Sequence, residues 1–244
     1  MTYLRDKLGE ISVNVRKSLM TLISQDKIAE FARKLAAVRV RDPTNPETCF
    51  ELLRGEIEFE QKLLQDLSLR ILGILYDGIK LHAIFRELIS IEEFRIEHTH
   101  IVFTNRLFGT FDENDKRYHA KVSVYGFPSL ISTTGIVEAP AKPKEYYVLK
   151  QQHVALGNLF LLEKLKEKFV GRFLDYDDER LTEVTKGYVM QALFYHIFGE
   201  PFCEDRKCRL FNSHWQKEML GAQLKEPEFC GRHAKMLGEL KRSN

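Results

Sequence analysis

The chain has 244 residues, 44% of them hydrophobic and 30% charged, with 37 basic against 35 acidic side chains and a formal net charge of +2. That length buries a sizeable core as one large domain or two small ones, and the composition excludes a disordered or fibrous chain. The near-balanced charge gives no strong field toward nucleic acid or an anionic membrane.

The first segment, "MTYLRDKLGEISVNVRKSL", is charged throughout and lacks the apolar stretch of a signal peptide. The longest apolar runs, such as "LSLRILGILY", are cut by charge well short of the ~18–20 residues of a membrane helix. These features predict a soluble, cytoplasmic protein with reduced thiols and no membrane partner. Residues 9–17 alternate at Ile11, Val13 and Val15, which predicts an early strand. Ser24 then offers a cap to a helix with Ile28, Phe31, Leu35 and Val38 on one face. Residues 41–48, with two prolines, read as a loop that leads to Cys49, a small buried side chain. From Phe50 to about Tyr76 the pattern is helical, with a break at Gly78 and a second helix through "IKLHAIFRELI".

"HTHIVFTNRLFGTFD" and "RYHAKVSVYG" flank the polar loop Glu113–Lys116. Folding about that loop pairs Asp112 with Arg117 and Thr110 with His119, and puts Leu107 opposite Val122. "FPSLISTTGIVEAPAKPKEYY" continues as a strand into a proline-rich loop. "NLFLLEKLKEKFVGRF" and "DYDDERLTEVTKGYVMQALFYHIFG" are helical, and the second is apolar over so much of its girth that it should be buried. There is no internal repeat and no long linker. Strands mixed with helices in this order imply one α/β (α+β) domain built on a mixed sheet.

Three of the four cysteines lie near the C-terminus in the spacing Cys203-x4-Cys208-x21-Cys230-x2-His233. Thiolate and imidazole suit zinc, and four of them close a tetrahedral structural site. The "EDRK" loop lets Cys203 and Cys208 fold back on each other, and Gly231 lets Cys230 and His233 turn toward one ion. Between the pairs, Ser213 and Gln216 form a capping box, predicting a helix over 214–224, and Pro227 turns the chain back. The competing readings are buried thiols beside a surface histidine, or a disulfide, which a reducing compartment disfavours.

The end of the long helix can be set against the metzincin pattern H-E-x-x-H-x-x-G-x-x-H. Ala192 falls at the first His, Leu193 at the general-base Glu, His196 at the second His, Gly199 at the turn glycine and Phe202 at the third His. Cys203, Cys208 and "FCGRH" follow in order. The stretch from about 180 to 233 resembles an archaemetzincin whose catalytic ligands are largely replaced and whose structural zinc site is kept, with His233 in the place of the last cysteine. From about residue 70 onward, "TNRLFGTFDENDKRYHAKV", "ISTTGIVEAPAKP" and "CRLFNSHWQ" also look like an uncharacterised archaeal family of metallopeptidase-like proteins.

That resemblance implies one zincin-like domain over residues 1–244, with residues 200–238 as a structural zinc subdomain. It implies one structural zinc held by Cys203, Cys208, Cys230 and His233, and a degenerate catalytic motif in which His196 alone could bind metal. A hydrolytic zinc needs about three protein ligands and an open position for water, and Leu193 cannot act as a base toward that water. The implied protein is non-hydrolytic and holds a peptide or protein segment in the former cleft. The alternative is an active hydrolase with a re-sited metal on His196, drawing on His98, His100, His214, Glu200 or Asp205; His119, opposite Thr110 in the hairpin, is too far along the strand from His100 to join them. A third reading, a nucleic-acid-associated zinc protein, has only the lysines and tyrosines of "KPKEYYVLK" behind it.

Overall fold

Apolar spacing sorts the chain into two small mixed sheets with helices packed on them. The computed structural model describes residues 1–16, 23–48, 50–66, 69, 71, 73–157 and 160–243, and the side chains of 160, 162, 163, 166 and 243 lie outside that description. In chain order the elements are α1 (Thr2–Leu8), α2 (Ile28–Ala37), α3 (Arg54–Gln65), β1 (Leu75–Asp77), α4 (Gly78–Arg86), β2 (Ile101–Thr104), β3 (Leu107–Asp112), β4 (Arg117–Lys121), β5 (Ser123–Val124) and β6 (Ser129–Ser132). They continue as α5 (Thr133–Glu138), α6 (Lys144–Ala155), α7 (Phe160–Lys168), α8 (Leu181–Phe198), α9 (Gln216–Gln223) and α10 (Gly231–Ser243).

One sheet has the order β1-β3-β4 and the other β2-β6-β5. Each joins a parallel pair, β1 with β3 and β2 with β6, to an antiparallel one. Parallel neighbours need a crossover rather than a tight turn: α4 intervenes between β1 and β3, and the β3–β4 hairpin and β5 lie between β2 and β6. The β3–β4 hairpin has the expected register, with Asp112 opposite Arg117 and Thr110 opposite His119; its pairing ends at Phe108 and Lys121, one position short of Leu107 and Val122.

Several expectations are corrected. Residues 11–16 form no strand; α1 precedes them, and Ile11 packs into the C-terminal core instead. Lys17 and Cys49, with the readings made of them, lie outside the described residues. The helix expected from Phe50 to Tyr76 is α3 alone, and Leu75–Asp77 is a strand with Tyr76 fully buried. A short apolar run cannot be told from helix by periodicity. Gly78 starts α4 rather than breaking it, because Asp77 caps the helix through Oδ1, which accepts from the Ile79 and Lys80 N–H groups at 3.0 Å each. The single strand expected over 98–112 is two strands in different sheets. The strand beginning at Ser129 ends at Ser132, whose Oγ accepts from Gly135 N at 2.7 Å and so starts α5.

The helices share several cores. Phe31, Leu35, Leu63, Leu81, Phe85 and Phe108 join α2, α3 and α4 to the first sheet. Inside this core Glu60 is fully buried and accepts from Arg39 Nε and Nη2 (2.9 and 2.6 Å), Arg106 Nη2 (2.8 Å) and Tyr76 Oη (2.6 Å). Ile131 of the second sheet and Val122, at the link from β4 to β5, pack on Ile136, Val184, Tyr188 and Met219. A third core holds Met190, Phe194, Leu210, Phe229 and Leu237 together with Leu8 of α1. The long helix therefore serves two cores at once, Val184 and Tyr188 facing one and Met190 and Phe194 the other. That double service is why its apolar residues are not confined to one face. Among the described residues no helix is long and apolar enough to cross a membrane.

Candidate metal centre

The site begins where α8 stops. Gly199 takes the left-handed conformation (φ 74°) and its N–H reaches Tyr195 O at 2.9 Å, a helix end that glycine adopts without steric cost. The chain reverses to Cys203, whose N–H bonds Leu210 O at 3.0 Å in a bridge between Cys203 and Phe211. The intervening loop folds on Asp205, with Lys207 N donating to its Oδ1 (2.9 Å) and Cys208 N to its carbonyl (3.0 Å).

The next helix, α9, starts later than expected. Glu218 Oε2 accepts from His214 N (3.2 Å) and Trp215 N (3.3 Å), so Glu218 rather than Gln216 closes the cap. Gln216 is fully buried and used elsewhere: Nε2 donates to the Ile136 and Val137 carbonyls, and Oε1 accepts from Leu174 N. Ser213 Oγ has no partner. Gly231 makes no tight turn either. It is the first residue of α10, with Cys230 just before it and His233 one turn along, so that i,i+3 spacing brings the two side chains together.

The four side chains of the Cys203, Cys208, Cys230 and His233 set converge. One donor atom from each of Cys203, Cys208, Cys230 and His233 lies within 4.8 Å of the others. Cys203 Sγ is 3.8 Å from Cys230 Sγ, and His233 Nδ1 is 3.5 Å from Cys208 Sγ and 3.2 Å from Cys230 Sγ. Zinc–sulfur bonds of about 2.3 Å and zinc–nitrogen bonds of about 2.0–2.1 Å, set tetrahedrally, give edges of roughly 3.8 Å between sulfurs and roughly 3.6 Å from sulfur to nitrogen. The donor set therefore fits a metal ion in number, chemistry and separation. All three thiols are free, so no disulfide competes for them.

The local fields suit ligation. Burial raises the Cys208 thiol to about 12, and it also raises Cys203. Burial acts the same way on Cys230, but hydrogen bonds from the His233 and Arg232 N–H groups and the neighbouring thiols leave it below its ordinary value. Burial and the adjacent Arg232 lower the His233 imidazole, which keeps it neutral as a ligand must be.

Behind the ligands stands Arg209, 2% exposed. Its Nη2 donates to Glu183 Oε1 of α8 (2.7 Å) and to Gln223 O (2.9 Å), its Nη1 to Tyr3 Oη (3.0 Å), and its guanidinium lies 3.3 Å from Glu228. Tyr3 Oη in turn donates to Glu228 Oε2 at 2.6 Å. The other end of the chain is thus built into the scaffold of the site. No pattern within either segment signalled this contact, which spans more than two hundred residues.

The motif positions at the end of α8 are placed differently. Ala192 is fully buried, Leu193 packs against the C-terminal core, and Phe202 is 43% exposed. Tyr125 stacks on Tyr195 (5.9 Å) and meets Phe202 edge-on (5.7 Å), while its hydroxyl donates to buried Gln191 at 2.6 Å. His196 Nε2 donates to Ile96 O at 2.6 Å. Among the described residues, no group of three or more potential metal ligands includes it. His98 and His100 are not on a strand; both rings bond Glu93 O, at 3.3 and 3.4 Å. His119 pairs with Asp115 at 2.7 Å on the hairpin, and with Asp112 these form a second group of potential ligand atoms within 4.8 Å. Arg117 Nε already occupies Asp115 at 2.8 Å. His214 and Asp205 are exposed, and Glu200 pairs with Arg232 at 2.9 Å.

This is a mixed α/β protein whose C-terminal segment brings three thiols and an imidazole to one point, a donor set that could hold a metal ion. The chain is a member of the probable metallopeptidase family DUF6775, whose model matches residues 1–240. No curated protein and no solved structure matches it.

Proposed function

We propose that this chain is an archaemetzincin-like member of its metallopeptidase family that holds one structural zinc and no longer hydrolyses peptides. The observation that carries the reading is the donor geometry of Cys203, Cys208, Cys230 and His233, whose separations of 3.2–3.8 Å match the edges of a zinc tetrahedron. Four protein donors leave no open position for a water, so zinc here staples residues 200–238 as a subdomain of a single zincin-like domain. The former catalytic positions favour the same conclusion: Ala192 and Leu193 are packed away, and Phe202 faces Tyr125. The exposed rings of Tyr195 and Phe202 beside Tyr125 supply an aromatic face suited to a peptide or protein segment.

The test is metal analysis at known stoichiometry, joined to peptide-cleavage assays. One tightly held zinc per chain, absent in Cys208→Ser, and no cleavage support the reading. Purified protein without a metal ion overturns the zinc assignment. The rival reading, hydrolysis on a re-sited metal, expects a second, labile ion and cleavage lost in His196→Ala. What counts against it is that, among the described residues, no group of three or more potential metal ligands includes His196.

A further inference from the structure

The four donors are unequally placed. Cys208 is 0% and His233 2% exposed, whereas Cys203 and Cys230 are half-buried. A small solute arriving from water meets the sulfurs of Cys203 and Cys230 first, and these two lie 3.8 Å apart. They sit on segments with separate anchors: Cys203 is bridged to Phe211, and Cys230 leads into the 13-residue helix α10. A disulfide needs the sulfurs at about 2.05 Å, so closing the pair takes a shift of roughly 1.8 Å, within reach of side-chain rotation.

We propose that Cys203 and Cys230 form a peroxide-reactive pair whose conversion to a disulfide opens the metal site. This rests on the zinc reading above for its consequence, but not for its chemistry. One thiolate sulfur attacks a peroxide oxygen; the O–O bond breaks, hydroxide leaves, and a sulfenic acid remains. The second thiolate attacks that sulfur and displaces a second hydroxide, forming the S–S bond. Two electrons pass from the sulfur pair to the peroxide, and the charge of the ion is unchanged. Only Cys208 and His233 then remain as donors, too few to close a tetrahedral site. Cys203, Cys208 and Cys230 belong to the same apolar cluster as Tyr3, Leu4 and Leu8, so the opening is felt at α1.

The wild-type protein, as isolated with its zinc, is titrated with hydrogen peroxide. Released zinc is read with a chromogenic chelator, and the linkage is mapped by differential alkylation, proteolysis and mass spectrometry. The expected result is one zinc released per disulfide formed, a cross-linked peptide joining Cys203 to Cys230, Cys208 newly open to alkylation, and recovery with a dithiol and zinc. The Cys208→Ser variant should form the same cross-link. A cross-link that contains Cys208 in wild type overturns the proposal. So does a zinc site that survives peroxide concentrations oxidising an unstructured thiol peptide. Protein isolated without metal would sink the zinc assignment alone, and the pair would then stand or fall on the cross-link.

Discussion

Gly187, in the middle of α8, is held open by a buried neighbour. A Cβ there would lie 1.6 Å from Gln223 Oε1, 2.4 Å from its Cδ and 2.8 Å from its Nε2. Gln223 is 1% exposed, and its Nε2 donates to Arg209 O at 2.9 Å, one residue from the ligand Cys208. Gly187→Ala therefore displaces Gln223. Stranding the Arg209 carbonyl costs about 1–3 kcal/mol, and forcing extra volume into a packed interior costs about 1–3 kcal/mol more. Against this, alanine gains about 1 kcal/mol of helix propensity. The net loss is about 3 kcal/mol, which for a chain of this size lowers Tm by roughly 6–12 °C. Thermal and denaturant unfolding at fixed zinc measure it. Gly221→Ala is the control, because that helical glycine has nothing within 4 Å, and it should raise stability by up to about 1 kcal/mol. Gly187→Ala combined with Gln223→Ala should cost little more than Gln223→Ala alone, since the clash is gone. A Gly187→Ala protein that melts at or above wild type, or simple additivity in the double variant, would refute the packing argument.

Removing the metal by chelation should lower Tm and loosen both α10 and α1, because the ligands share a core with Tyr3, Leu4 and Leu8; amide hydrogen exchange of the two segments reports it, and slow exchange in α1 after metal loss would contradict it. Metal affinity should fall as pH falls, because burial raises Cys208 to about 12 in the metal-free chain and binding must expel thiol protons. Zinc titrations from pH 8 to 6, with proton release followed in weakly buffered solution, check the sign. Glu60→Ala should cost about 3–5 kcal/mol, because it strands two guanidiniums, Arg39 and Arg106, that are 10% and 6% exposed; denaturant melts measure it. Burial lowers the His82 imidazole, with Arg86 adding to the effect and a hydrogen bond at Pro128 opposing it. Its folded value lies below its unfolded one, so its contribution is fully present above the unfolded value near 6.5 and is lost as pH falls through the folded value. His82→Gln should flatten the decline in stability on the acid side of pH 6.5, as read by urea midpoints.

Local chemistry accounts for what was legible beforehand. The hairpin register followed from where its polar loop sits, because pairing about a short loop admits few alternatives. The clustering of Cys203, Cys208, Cys230 and His233 was legible in their types and spacing, since few other roles gather thiols and an imidazole so tightly. Other features depended on partners far away in the chain. β1 looked helical because a short buried strand carries no distinctive period, and only pairing with β3 makes it a strand. The cap of α9 moved from Gln216 to Glu218 because Gln216 was claimed by carbonyls about eighty residues earlier.

The amino-acid order by itself determined the two kinds of element, the hairpin and which four thiol and imidazole side chains can cluster, because these rest on the types and spacing of residues along the chain. Tertiary structure alone decided that α1 backs the metal centre, that Gly187 must lack a side chain, and that Cys203 and Cys230 face water while Cys208 and His233 do not. Those outcomes are set by which distant surfaces meet, and no local spacing encodes that meeting.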